Sequence, residues 1–316
     1  MKILLYSPAS TVRRNGNHQT SSQWVTMLRE AGHEVRTISH YEGEEAEIFI
    51  ALHAVKSREA VLGFKKSVPK GKIILALTGT DIYPAPSDDA IDTMRKADAL
   101  VTLQRRAIGQ VPEDCRDKVV TIIQSAKTHS GPVKKSTSEF NVAVVGHLRD
   151  VKDPLLTAKA SRRLPASSKI RIRHVGGILE SQYAALVAAE EKDNPRYDWL
   201  GELSETETAE VIASSHLMVL SSLSEGGARV VGESIVHGTP VLSSRIAGVV
   251  GLVGDDYPGL FEVGGEKDLA AMLSRAETDP DFYATLKEQA SHFAGQFAPE
   301  TEKQAILKIV NKLGES

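Results

Sequence analysis

Asn141-Val-Ala-Val-Val-Gly146-His147-Leu148-Arg149-Asp150-Val151-Lys152-Asp153-Pro154 reads as a strand that ends at a glycine and crosses a charged turn into a helix. The same grammar recurs along the chain. Short apolar runs at 3–6, 34–38, 48–52, 73–77, 99–102 and 119–122 precede it, with helical spacing at 20–31 and 57–67 between them. Runs at 170–175, 216–220, 240–243 and 260–263 follow it, separated by helical patterns at 154–163, 180–189, 204–213, 230–237 and 266–276. Strands alternating with helices predict βαβ units around a parallel sheet. Between the two series lies the segment 130–139, small, polar and basic, with Gly131-Pro132 near its start, and it reads as a linker. The expected fold class is α/β, with two Rossmann-like lobes and a cleft between them. The first domain is placed at 1–129, the linker at 130–139 and the second domain at 140–299. The segment 300–316 is set apart as a last helix, whose apolar positions suit packing back on the first domain.

Bulk properties agree with that division. At 316 residues the chain is long for one core and suited to two domains of ~150. Hydrophobic content of 41% and charged content of 25% are those of a globular protein. A net charge of −3 supplies no basic field for nucleic acid. An anionic ligand therefore needs a local cluster of cations and backbone N–H groups. Cys115 is the one cysteine, which rules out an internal disulfide and a cysteine-rich zinc site. Ser7 and Pro8 interrupt the first apolar run too early for a signal peptide. No apolar run nears the ~20 residues of a membrane span. The expectation is a cytoplasmic protein with neither membrane nor nucleic acid as partner, and its oligomeric state is not legible.

In open α/β sheets ligands sit beyond the carboxyl ends of the strands, so chemistry is expected in the loops that follow them. After the first strand, Arg13-Arg14-Asn15-Gly16-Asn17-His18 leads into a helix. Gly16 lets backbone approach a ligand, and the helix start offers N–H groups to an anion, although a solvated turn would read the same way. His53 follows the run 48–52, and Thr78-Gly79-Thr80-Asp81 follows 73–77, which puts both on the ligand edge. His53 is read as a site residue, against a hydrogen-bonded structural one. Asp81 is read with His53 as a catalytic residue, against a local turn cap. In the quoted stretch, Arg149 and Lys152 behind Gly146 make a site for a diphosphate, against an exposed charged turn. Two cations with backbone donors neutralise a leaving group better than either alone.

The sharpest signal is Ser221-Ser-Leu-Ser-Glu225-Gly226-Gly227-Ala228-Arg229-Val-Val-Gly-Glu233, after the run 216–220. Glu225 falls in the loop and Glu233 two turns along the following helix. Carboxylates accept sugar hydroxyls, and the helix start receives a phosphate. Chance often puts two glutamates on one helix face, but not with a Gly-Gly turn between them at a strand end. Asp279-Pro280-Asp281 is the one D-x-D, and it is ordinary helix-start chemistry, so no metal or other cofactor is expected.

The pattern Glu225-x7-Glu233, followed by His237-Gly238-Thr239-Pro240-Val241, resembles the E-x7-E motif of retaining GT-B glycosyltransferases of family 4. The turn from Gly146 to Lys152 is similar to that family's Gly-Arg-Leu…Lys diphosphate loop, with His147 standing where the family has Arg. The resemblance implies that Lys152 binds the donor diphosphate and that Arg149 supplies the charge His147 lacks. It implies that Glu225 contacts the donor sugar, that the N–H groups of Gly226 and Gly227 hold sugar and phosphate, and that Glu233 binds the ribose. Gly16 would lie near the diphosphate and His53 near the transferred sugar, with Thr80, Ala228 and Arg229 as neighbouring contacts. A narrower set resembles the selenosugar synthases of selenoneine biosynthesis: Asn15-Gly16-Asn17, Ile50-Ala-Leu-His53-Ala54, Leu77-Thr-Gly-Thr-Asp81 and Gly146–Pro154. That resemblance implies a UDP-sugar donor (UDP-GlcNAc or UDP-glucose), selenophosphate as acceptor and a C–Se bond in the product. Arg13, Arg14 and His18 would then hold the anionic acceptor, and other pathway enzymes are possible partners. Alternatives are a family 4 enzyme with another small acceptor, or a GT-B-fold UDP-sugar epimerase. A two-lobed solute-binding protein would have no reason to keep a diphosphate lysine.

Overall fold

The computed structural model describes residues 1–8, 16–129 and 131–315. The chain divides into two compact units, Met1–Ser125 with Ala298–Ser316, and Ala126–Phe297.

The first unit runs β1 (Lys2–Tyr6), α1 (Gly16–Glu30), β2 (Glu34–Ile38), β3 (Ile48–Leu52), α2 (Arg58–Ser67), β4 (Lys72–Leu77), α3 (Asp88–Lys96), β5 (Ala99–Thr102) and β6 (Val119–Thr121). Its sheet has the order β2-β1-β3-β4-β5-β6, parallel throughout. β3 is buried at every residue and β4 at all but its first, as central strands covered by helices on both faces must be. One face packs Phe49 on Phe64, with ring centroids 4.7 Å apart. The other buries Trp24 and Leu28 of α1 against Ile50 and Ile74.

The second unit runs β7 (Phe140–Val145), α4 (Leu156–Ser161), β8 (Ile170–Val175), α5 (Gln182–Asp193), β9 (Tyr197–Gly201), α6 (Glu205–Ser214) and β10 (Leu217–Leu220). It continues through α7 (Arg229–Val236), β11 (Val241–Ser244), α8 (Ala247–Val253), β12 (Leu260–Phe261), α9 (Glu266–Thr278) and α10 (Pro280–His292). Its sheet is again parallel throughout, in the order β12-β11-β10-β7-β8-β9. Ser204 and Glu207 close α6 with a reciprocal capping box. Asp279 caps α10 by accepting from the N–H groups of Asp281 and Phe282.

Each sheet reverses its winding once. In the first, β2 and β3 lie on opposite sides of β1; in the second, β8 and β10 lie on opposite sides of β7. The crevice at such a switch point, beyond the carboxyl ends, is where open α/β sheets receive ligands. In the second unit the loops flanking it carry Lys152 and Glu225, and in the first unit the loop after β3 carries His53.

The segment expected as a linker belongs with the second unit where it is described. Its Lys135 Nζ donates to Thr239 Oγ1 (3.4 Å), and His129 just before it, expected in the first domain, donates its N–H to His237 Nε2 (2.8 Å) within the second unit. The last helix, α11 (Pro299–Gly314), belongs to the first unit. Ile306, Ile309, Val310 and Leu313 of α11 form a stripe at helical spacing that joins the core beside Trp24. Glu302, 1% exposed, anchors it: Oε1 accepts from Trp24 Nε1 (2.7 Å), and Oε2 accepts from Gln23 Nε2 and Ser125 N (both 2.7 Å).

Candidate functional site

In the second unit two loops are sewn together beyond the sheet. The loop after β10 donates Leu223 N to Val151 O (2.9 Å), and Ser221 Oγ donates to the carbonyls of Lys152 (3.1 Å) and Asp153 (2.9 Å). The stitching puts Lys152 against Glu225, Nζ to Oε1 at 2.5 Å, while Ser222 Oγ donates to the same oxygen at 2.6 Å. The lysine and glutamate side chains are 18% and 14% exposed, so this is a charge pair largely withdrawn from water. Such a pair gains little over what desolvation costs, but removing either partner strands the other. Lys152 also lies along Gly146, whose built Cβ would stand 3.7 Å from its Cδ.

The turn at Gly146 is held by groups from β8 and β9. His174 is fully buried and bridges Tyr197 Oη (2.8 Å, at Nδ1) to Gly146 O (3.0 Å, at Nε2). Since Gly146 O can only accept, the proton is on Nε2 and Tyr197 donates to Nδ1. Burial drives the His174 pKa down to about 4, so the ring is neutral. Burial likewise raises the Tyr197 hydroxyl pKa. A Cβ on Gly176 would meet Gly146 O at 2.0 Å, which makes a side chain there incompatible with this approach. His147 accepts the Gly177 N–H at Nδ1 (3.1 Å). Its pKa is lowered by burial first and by Arg149 and Lys152, with Glu202 opposing. Arg149 is half-buried, and its Nε is buried without a hydrogen-bond partner among the described residues.

Glu225, Gly226 and Gly227 lie in the loop, and the left-handed backbone falls on Ala228 (φ 37°) rather than on either glycine. Ala228 is the N-cap of α7 and has no side chain with which to cap its N–H groups. Arg229 Nε contacts Glu233 Oε1 at 3.0 Å along α7. The start of α8 presses on this loop from behind, because a Cβ on Gly248 would stand 2.3 Å from Glu225 O.

In the first unit, His53 is buried at φ 74° immediately after β3. Its Nδ1 accepts from Lys56 N (3.3 Å), so Nε2 carries the proton and donates to Thr80 Oγ1 (3.0 Å). Burial is the main cause that lowers the His53 pKa, with Asp81 opposing. Asp81, 1% exposed, accepts from Ala54 N (Oδ2, 2.9 Å), Gly79 N (Oδ1, 2.7 Å) and Thr78 N (Oδ1, 3.0 Å). Its carboxylate is spent tying the loop after β4 to the loop after β3. Against the expectation of a catalytic residue, the hydrogen bonds of Asp81 are those of a turn cap. Gly16 and Asn17 open α1 and His18 follows in its first turn, its carbonyl accepting from Ser21 Oγ (2.9 Å). Arg13 and Arg14 lie outside the described residues.

The non-glycine residues with positive φ are, among the described residues, His53, Asp153 and Ala228. All three sit in these loops, and strained backbone gathers where a site over-determines it. Sequence reasoning did not single out Ser222, Asp153, His174 or Glu202. Ser222 is one of several serines in its loop, and His174 lies inside β8, where nothing in the sequence marks it.

Among the described residues no helix is long and apolar enough to cross a membrane. The family model "Glycosyl transferases group 1" matches residues 126–293. A D-inositol 3-phosphate glycosyltransferase of Mycobacterium leprae is 29% identical over 175 residues, 52% of this chain and 40% of that relative. The chain thus matches less than half the length of that protein. An uncharacterised glycosyltransferase of Methanocaldococcus jannaschii is 27% identical over 117 residues, 37% of this chain and 33% of that relative. Among solved structures, Anabaena HepE in complex with UDP and glucose superposes with a TM-score of 0.74 at 15% identity, covering 99% of this chain and 100% of that one. Sucrose-phosphate synthase of Thermosynechococcus elongatus gives 0.79 at 15% identity, covering 99% and 98%. At such identity the likeness is one of fold: two Rossmann-like units of the GT-B type.

Proposed function

The chain belongs to the glycosyl transferases of group 1, and from that premise we propose that it transfers a sugar from a UDP-sugar to selenophosphate. The observation that carries the donor half is the Lys152–Glu225–Ser222 knot at the switch point of the second sheet. Lysine and glutamate each hold, in the other, a stand-in for a ligand group. A donor diphosphate takes the ammonium, and the sugar hydroxyls take the carboxylate. The N–H groups of the Gly226–Arg229 turn at the start of α7 offer further donors to a phosphate. A uridine donor is supported by the Anabaena neighbour, which was solved with UDP and glucose and also with UDP-glucose.

The reaction breaks the bond between the anomeric carbon and the β-phosphate oxygen and forms one from that carbon to selenium. UDP leaves with the bonding pair, and Lys152 with Arg149 meets the charge that develops on it. Selenophosphate is already a strong, soft nucleophile, so no strong base is required. Water must later cleave the P–Se bond to release a selenol sugar and phosphate. The acceptor rests on the narrower resemblance and on the basic run Arg13-Arg14 with His18. A phosphate-bearing acceptor is also what the name of the Mycobacterium leprae relative describes.

The test is to incubate the protein with UDP-GlcNAc or UDP-glucose and with selenophosphate, thiophosphate or phosphate, following UDP release and product masses. UDP release that depends on selenophosphate, with a selenosugar mass, is expected. Turnover with none of the three would discard the acceptor. A new UDP-sugar formed without acceptor would replace the reading with epimerisation.

A further inference from the structure

Lys135 stands at the edge of the second sheet opposite the loops that carry Lys152 and Glu225. The strands all run parallel, so the residues leading into them share that edge. Lys135 comes before β7, His216 before β10 and Thr239 before β11. The lysine Nζ donates to Thr239 Oγ1 (3.4 Å), and that hydroxyl gives its own proton to Ile212 O (2.9 Å). A hydroxyl has one proton, so Thr239 holds the amine without occupying its lone pair. The surroundings offer the lysine no counter-ion. Lys287 of α10 bears on it as a second cation, and among the described residues no carboxylate does. His216 accepts from Asn141 N at Nδ1 (3.0 Å) and stacks on Phe140 at 4.7 Å; burial first and Lys135 next lower its pKa, so the ring is neutral. Tyr283 of α10 donates to His216 O (2.9 Å), and burial raises its pKa, so it too is uncharged. A half-buried ammonium beside another ammonium is pressed to lose its proton. Burial first and Lys287 second bring the pKa of Lys135 down to about 8. At about pH 7.5 roughly a quarter of such amines carry a free lone pair, against about one in a thousand for an ordinary lysine.

We propose that Lys135 is a covalent modification site whose amine captures carbon dioxide as a carbamate. The lone pair of the neutral amine attacks the carbon, one C=O electron pair moves to oxygen, and a proton leaves the nitrogen for solvent. Lysines desolvated beside a second cation are the nucleophilic ones. Two features select the electrophile. Carbon dioxide is small enough for a half-buried amine. Its adduct is an anion, so the repulsion between Lys135 and Lys287 becomes an attraction, whereas acylation would only remove a charge. The carbamate nitrogen keeps one hydrogen and with it the bond to Thr239. The site lies away from the donor loops and does not depend on the glycosyl-transfer reading.

Carbamates are trapped by O-ethylation. The full chain is equilibrated with isotopically labelled bicarbonate and carbon dioxide, treated with triethyloxonium ion and mapped by peptide mass spectrometry. At about pH 7.5, Lys135 should carry trapped label at least about tenfold above the mean of the other lysines. At fixed dissolved carbon dioxide, its occupancy should climb as pH rises through about 8. Lys135→Arg keeps the charge but has no amine to react, and the label at that peptide should vanish. Lys287→Gln removes both the partner of the carbamate and one cause of the amine's low pKa, and should cut occupancy by about three- to tenfold. Melting curves of both variants check that the fold is kept. Label at Lys135 no greater than at other lysines would overturn the proposal. So would acetylation of Lys135 by acetyl phosphate without any trapped carbon dioxide, which marks a reactive amine that is not a carbamate site. Occupancy in Lys287→Gln equal to wild type would overturn the pairing on which the choice of electrophile stands.

Discussion

Both units end in a carboxylate tied down beyond the carboxyl edge of a parallel sheet, but by different partners. Asp81 is held by three backbone N–H groups from two neighbouring loops. Glu225 is held by a lysine and a serine hydroxyl. Backbone donors have nowhere else to turn, so Asp81 is part of the fold. Side-chain donors can rotate to a ligand and leave the carboxylate to bind in turn, which is what the proposed role of Glu225 requires. Burial does not distinguish the two as well as the nature of the donors does. His53, next to Asp81, inherits its position from that fixed knot, while Lys152 is held by a side chain alone.

The sharpest way to break this contrast is at Lys152. Lys152→Ala should lower kcat/KM for UDP release about 100- to 1000-fold, the scale of losing one preorganised charge on a leaving group. Thermal unfolding of the same variant should fall by less than a core truncation causes, because the stranded Glu225 keeps its Ser222 hydrogen bond and a partial exposure of 14%. A melting loss as large as that of a core truncation, with activity retained, would make the pair structural. Asp81→Asn should do the reverse. It places an amide donor among N–H groups that need an acceptor, so urea denaturation should report a loss of about 2–3 kcal/mol. Catalysis at low temperature should suffer far less. Equal stability of Asp81→Asn and wild type would undo the contrast from the other side.

A smaller effect sharpens the picture of the Gly146 turn. His174 has a folded pKa of about 4 against an ordinary value of 6.5. The unfolded chain therefore binds a proton that the native chain refuses. Its contribution is intact above the unfolded pKa and is lost as pH falls from 6.5 toward 4, amounting to about 2 kcal/mol near pH 5. Urea midpoints for wild type and His174→Gln should converge as pH is lowered from about 7.5 to 5. A gap that stays constant would mean that the ring accepts a proton in place.

Strand positions were legible because parallel strands covered on both faces are continuous apolar runs, as β3 and β4 are. The elements absent from the reading each lack such a signal. β9 has one buried residue, Tyr197. α3 buries only Ala90, Thr93 and Met94 in a charged sequence. α8 is buried at six of its seven residues and so shows no stripe. α10 was recognised at its start through Asp279-Pro280 but not in extent. Lys152 and Glu225 were each legible as loop residues after strands. Their pairing across 73 positions was not, because it depends on how Leu223 and Ser221 sew two loops together. Asp81 was ambiguous for the reason that settles it: a carboxylate after a strand suits a ligand and a turn equally until its donors are seen.

The return of α11 to the first unit bears on how the protein is made. The ribosome delivers residues 1–125 early, yet Trp24 waits for Glu302 to accept its indole N–H, and Ile306 and Ile309 have still to cover the sheet beside it. At about 5–20 residues per second, the intervening stretch takes roughly 10–40 seconds to emerge. Throughout that interval the second unit, continuous in sequence, has everything it needs to finish first. The nascent first unit keeps an uncovered apolar face and is the part a chaperone would hold. Truncation before Pro299 would leave it in that state for good.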